Sequence, residues 1–206
     1  MQKEIKLVFH NQGLRSYIEV DLCSECPRQD DKGCCGFYSP VFYSSDFAYL
    51  LKNEPGLIDK LLQLNNITIL DASVTINNSI DGESYRCYFH SKDGGCLLTQ
   101  QLRESVCRHF VCPGIAWEQE EKLHPWRDFF ARLSDYEIEL NNRIAARLQE
   151  KGLTLRDANK REEFFEKMLA IFEQETRILP DFFNEQPAWQ EVVITRKIMY
   201  GQDWPL

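Results

Sequence analysis

Several things are missing from this 206-residue sequence, and each absence narrows its function. No apolar run approaches the roughly eighteen residues that cross a bilayer, so no membrane partner is expected. The opening stretch from Met1 to His10 has neither a seven-residue apolar core nor a small-residue cleavage site. A cytoplasmic chain with reduced thiols is the expectation that follows. Basic charge is scarce: 24 Lys and Arg against 32 Asp and Glu give a net charge of −8, the opposite of what phosphate tracking needs, so no nucleic-acid partner is expected. There is no internal repeat, no low-complexity tract and no glycine-rich loop after a strand of the kind that cradles a nucleotide cosubstrate. Finally, no cysteine follows Cys112.

The eight cysteines are crowded between Cys23 and Cys112 as Cys23-x2-Cys26-x7-Cys34-Cys35 and then Cys87-x8-Cys96-x10-Cys107-x4-Cys112. Thiolates are soft ligands that suit zinc, copper(I) or iron–sulfur centres, and two such quartets point to a metal site if the fold brings them together. A disulfide framework is the competing explanation, but the cysteines are sparse for one, and a chain of this length can bury a core without staples. A zinc ribbon would repeat the two-residue spacing in its second half, where this chain has gaps of eight, ten and four. Iron–sulfur clusters tolerate irregular spacing, and Cys26-Pro27 and Cys112-Pro113 resemble the Cys-Pro step that ends ferredoxin ligand runs. An iron–sulfur cluster is therefore the expected cofactor, with zinc as the alternative. Cys34 and Cys35, being adjacent, diverge in an extended backbone, so they are expected to serve different partners. Arg86, Arg103, Arg108 and Lys32 could offset thiolate charge, although an arginine beside a cysteine more simply reads as a surface or carboxylate-paired residue, and His90 and His109 are conceivable ligands that more simply read as satisfied polar side chains. The carboxylate pairs Asp30-Asp31 and Glu120-Glu121 read as solvated.

The pattern predicts an α+β fold: a cysteine-rich strand and helix domain over residues 1–116, then a helical region over 117–206 packed on it. Short strands are expected at Ile5 to Phe9 and Tyr17 to Leu22, around a turn at Asn11-Gln12-Gly13, the second leading straight into Cys23. Helices follow from Ser45 or Asp46 and from Pro55, then strands at Ile67 to Leu70 and Val74 to Ile76, and a polar loop from Asn77 to Ser84. A hairpin turning on Gly94-Gly95 would hold Cys87 beside Cys96. Beyond Gly114, apolar residues recur at helical spacing through Phe129, Leu133, Leu140, Ile144 and Leu148, and again through Phe164, Met168 and Phe172. These predict a helical hairpin whose apolar stripe packs on the rest of the chain, or less simply offers a groove to a protein partner.

The order Cys-x2-Cys, Cys-Cys-Gly-Phe, Cys, Cys-Leu-Leu and Cys-Arg-His-Phe-Val-Cys-Pro, between Asp21 and Gly114, resembles the YkgJ-type cysteine-cluster proteins, described as zinc- or iron-chelating domains. The cluster is also similar to that of flagellin lysine methylases. The resemblance implies metal binding through Cys23, Cys26, Cys34, Cys35, Cys87, Cys96, Cys107 and Cys112, often with an iron–sulfur centre. The chain departs from that pattern in the seven residues between Cys26 and Cys34, where three are usual. Three readings stand: a structural or redox metalloprotein, a zinc-stabilised interaction module, and a cluster-containing methyltransferase-like enzyme. The first is preferred, because the sequence has no loop to hold the methyl donor.

Overall fold

A computed structural model describes residues 2–25, 34–91 and 94–198. The chain begins with β1 (Gln2–His10), whose alternation turns Ile5, Leu7 and Phe9 fully inward. A turn with Gly13 at φ +60° leads to β2 (Tyr17–Val20). The expected second strand stops two residues early, because the chain tightens into a 3₁₀ turn at Asp21–Glu25 that carries Cys23. Then come the single turn α1 (Cys34–Phe37), β3 (Val41–Tyr43), α2 (Ser44–Asn53) and α3 (Pro55–Leu62). Asp46 is not the cap of α2: it sits in the first turn and reaches back, its carboxylate accepting the Tyr43 amide at 3.0 Å. Pro55 does open α3, where its missing N–H costs nothing.

Strands β4 (Ile67–Ile69) and β5 (Ser73–Ile76) lie where the alternation predicts them. The stretch read as a polar loop is instead a small hairpin, β6 (Ser79–Asp81) and β7 (Ser84–Arg86), turning through Gly82 at φ +65°. Conversely, the hairpin expected around Cys87 and Cys96 amounts to one bridge, His90 to Cys96, with both Gly94 and Gly95 at positive φ. The short helix α4 (Ser105–His109) and three 3₁₀ turns lead into α5 (His124–Glu150) and α6 (Arg161–Glu175), the predicted helical hairpin. Arg143 and Arg147 of α5 both bond Glu175 near the end of α6, at 2.9 and 2.7 Å, so the second helix folds back along the first.

The C-terminal part is not wholly helical. Residues Trp189–Lys197 form β8, which runs antiparallel to β1 over its full length, from Gln2 opposite Lys197 to His10 opposite Trp189. Its burial alternates, with Val192 and Ile194 inward, a period of two that the sequence carried and that the helical reading passed over. One sheet therefore has the order β2-β1-β8 and a second the order β3-β5-β4. Each sheet has its own apolar cluster. Phe9, Trp117, Trp126, Phe129, Phe182 and Ile194 belong to one, and Phe42, Phe47, Leu61, Val74, Phe164 and Met168 to the other. Helix α5 serves both, giving Phe129 and Leu133 to the first and Leu140, Ile144 and Leu148 to the second.

Candidate metal centre

Five separate segments bring cysteines to one place. Cys23 lies in the 3₁₀ turn after β2, Cys35 on α1, Cys87 just past β7, Cys96 after the Gly94-Gly95 turn, and Cys107 and Cys112 on and after α4. The segments are tied to one another through the backbone. The Cys87 amide donates to the Cys35 carbonyl at 2.5 Å, and the Leu97 amide to the Phe89 carbonyl at 2.8 Å. A Cβ placed on Gly95 would lie 3.6 Å from the Cys23 carbonyl oxygen, so the turn before Cys96 rests directly against the Cys23 turn. Glycine at φ +73° lets the chain take that path.

All six of these cysteines line a single cavity of about 370 Å³. Its other walls are mostly apolar, among them Ile18, Phe42, Phe89 and Phe110, with polar groups from Tyr38, Gln100, Arg103 and Glu104. Of the eight predicted ligands, Cys26 lies outside the described residues, as does the side chain of Cys34; the expected divergence of Cys34 from Cys35 falls there too. Lys32 and Asp30-Asp31 are likewise outside them. Among the described residues no three His, Cys, Asp or Glu side chains gather closely enough to hold one ion.

The arginines divide. Arg103 lines the cavity, its Nε donating to the Leu98 carbonyl at 3.0 Å. Arg86 pairs with Asp81 across the β6–β7 hairpin at 2.8 Å. Arg108 turns away from the sulfurs altogether: fully buried, it donates to Glu137 at 2.5 Å and to the Ser16 carbonyl at 2.7 Å. His109 follows it, with Nδ1 3.3 Å from Ser134 Oγ and Nε2 3.8 Å from Glu137. Burial first, and then the positive charges of Arg108 and Arg15, hold the His109 imidazole well below its usual pKa. His90 and His109 are both absent from the cavity lining. Glu120 is engaged, too, by Arg196 at 2.6 Å.

Behind the cavity stands a layer of buried charge. Arg15 donates to Asp46 at 2.8 Å, and its second amino group donates to the carbonyls of Gln101 and Arg103, fixing the loop that carries Arg103. Burial pushes the Arg15 guanidinium down to about 10, helped by Arg108, and pushes the Asp46 carboxyl up despite its arginine neighbours. Desolvation thus outweighs attraction on both sides of this pair. Glu104 caps α4 by accepting the amides of Val106 and Cys107 at 2.9 and 2.8 Å, which sets the orientation of the Cys107 turn. Burial, and then the nearby Asp46, push the Glu104 carboxyl up to about 7. Tyr38, on the same wall, is pushed upward by burial and then by Glu104 and Cys107.

Reading the sequence singled out Arg103 but missed Tyr38, Gln100, Glu104 and the Arg15–Asp46 and Arg108–Glu137 pairs. Only Glu137 left a trace: it occupies an inward position of α5 between Leu133 and Leu140, a charge inside an apolar stripe. Comparison with protein-family models, with curated proteins and with solved structures finds no match to this chain.

Proposed function

We propose that the chain is a metal-binding protein whose cysteine-lined cavity holds an iron–sulfur cluster of redox or structural role. The observation that carries this reading is the convergence of six thiols, contributed by five segments from Cys23 to Cys112, on one cavity. Two features fit a multi-atom cluster better than a lone ion. A cavity of about 370 Å³ lined by six thiols has room for several metal and sulfide atoms. The gaps of eight, ten and four residues between the later cysteines are irregular, which iron–sulfur clusters tolerate.

Cys23, Cys35, Cys87, Cys96, Cys107 and Cys112 are the candidate ligands, and the likeness to YkgJ-type proteins adds Cys26 and Cys34. When bound, such a group supplies one-electron transfer or a Lewis-acidic iron. The chain's own residues do the rest. Ile18, Phe42, Phe89 and Phe110 give the cavity an apolar wall, the Glu104 cap orients the Cys107 turn, and Arg103 brings a cation to the same lining.

The test is iron and acid-labile sulfide content, with an ultraviolet–visible spectrum, on protein purified without oxygen. Iron and sulfide in matching amounts, with a broad absorption that dithionite bleaches, would support the reading. Stoichiometric zinc without sulfide would replace it with a zinc-stabilised module, and metal-free protein would overturn it.

A further inference from the structure

Strand β8 has one edge on β1 and, among the described residues, no strand on the other. The Asn11 amide donates to the Ala188 carbonyl at 2.9 Å, so position 188 turns its main-chain groups toward β1. Because these groups alternate sides along a strand, positions 190, 192, 194 and 196 do the same. The amides and carbonyls of Trp189, Glu191, Val193, Thr195 and Lys197 then point to the open edge. The Thr195 carbonyl accepts the Arg196 side chain at 3.0 Å, as an outward carbonyl would. Trp189 and Val193, 62% and 50% exposed, are large apolar residues on the outer face of this strand. None of the nine residues is proline, so no ring replaces an amide along this edge, and a further strand has to take over only the Thr195 carbonyl from the Arg196 side chain of the same strand.

We propose that this edge joins two copies of the chain into a two-fold dimer, with a continuous sheet in the order β2-β1-β8-β8-β1-β2. Opposed residues in an antiparallel ladder share a face, and only one overlap then pairs all nine residues. It sets Val193 on the two-fold axis against Val193 of the second copy. Glu191 falls opposite Thr195 and Trp189 opposite Lys197, with Glu191 diagonal to Lys197. No like charges face each other, the indole ring meets an ammonium group, and the half-exposed valines cover one another. On the inner face Val192 falls opposite Ile194, so the two apolar cores continue across the seam. This self-complementarity is what favours a second copy over an unrelated strand.

The test is sedimentation or light scattering of the full chain between about 1 and 200 µM. Reversible dimerisation is expected for the native sequence. Val193→Pro removes only an outward amide and Val193→Lys sets like charges on the axis, so each weakens association at least about tenfold while far-ultraviolet circular dichroism stays native. Should the proline variant not fold, the exposed lysine variant still decides. A monomer throughout this range, or a dimer indifferent to both substitutions, would overturn the proposal. Iron content is unaffected by either substitution, which separates this result from that of the metal centre.

Discussion

Replacing Glu137 by alanine is the sharpest perturbation of the buried charge layer. Its carboxylate is 2% exposed and accepts from Arg108 at 2.5 Å and from the Ser105 hydroxyl. Arg108 is wholly buried, and without Glu137 it retains the Ser16 carbonyl at 2.7 Å and His109 Nε2 at 3.2 Å but, among the described residues, no carboxylate within bonding distance. Leaving one member of a buried ion pair uncompensated costs about 3–5 kcal/mol. In a chain of this size each kcal/mol lowers the melting temperature by roughly 2–4 °C, so a fall on the order of 6–20 °C is expected. Replacing both partners with apolar residues of similar size, Arg108→Met with Glu137→Leu, removes the stranded charge and should recover most of that loss. Urea denaturation of the wild type, Arg108→Met, Glu137→Leu and the double variant measures the coupling. A Glu137→Ala cost below about 1 kcal/mol, or a double variant as weak as the two single losses added, would refute the assignment of this pair.

Glu104 gives a pH signature. Its carboxyl stands at about 7 in the fold against an ordinary 4.5, so the folded chain keeps a proton that the unfolded chain releases. That contribution is fully present below about pH 4.5 and is lost as pH rises through 7. Relative to Glu104→Gln, the metal-free wild type should therefore lose about 2–3 kcal/mol between pH 5 and pH 8, and equal pH profiles in denaturation would disprove it. Ala116 sits at φ +49°, in the left-handed region. Ala116→Gly should thus stabilise by roughly 0.5–1 kcal/mol, readable as a higher urea midpoint. Cys107→Ser, on the turn that Glu104 caps, should lower iron per chain and bleach the visible spectrum, whereas a cysteine remote from the centre would leave both unchanged.

How much of this was legible in the sequence depended on the length scale of each signal. The helical hairpin was readable because Phe129, Leu133, Leu140, Ile144 and Leu148 repeat over many turns. Strands β1, β2, β4 and β5 were readable from local alternation, but β3 is three residues long and β6 and β7 are polar, leaving little pattern to detect. Pairing of β8 with β1 joins residues at opposite ends of the described chain, and nothing local to either strand announces it. The crowding of cysteines was plain in the sequence; the cavity that gathers six of them was not, because it depends on Gly95 resting against Cys23 and on Cys87 bonding Cys35. That an arginine beside a cysteine pairs with a carboxylate was legible, and Arg86 and Arg108 both do so; which carboxylate each takes was not. Arg108 lies next to Cys107 in the chain, yet the helical turn of α4 points the two side chains to different neighbours.

Helix α5 gives the molecule a property that neither apolar cluster has alone. Its 27 residues span roughly 40 Å and lend side chains to both cores, with Tyr136 in contact with each. Either core could melt by itself only by fraying this helix at its middle, where Glu137 is clamped by Arg108 and Ser105. The two halves therefore share one beam, and heat or denaturant should take them down in a single step.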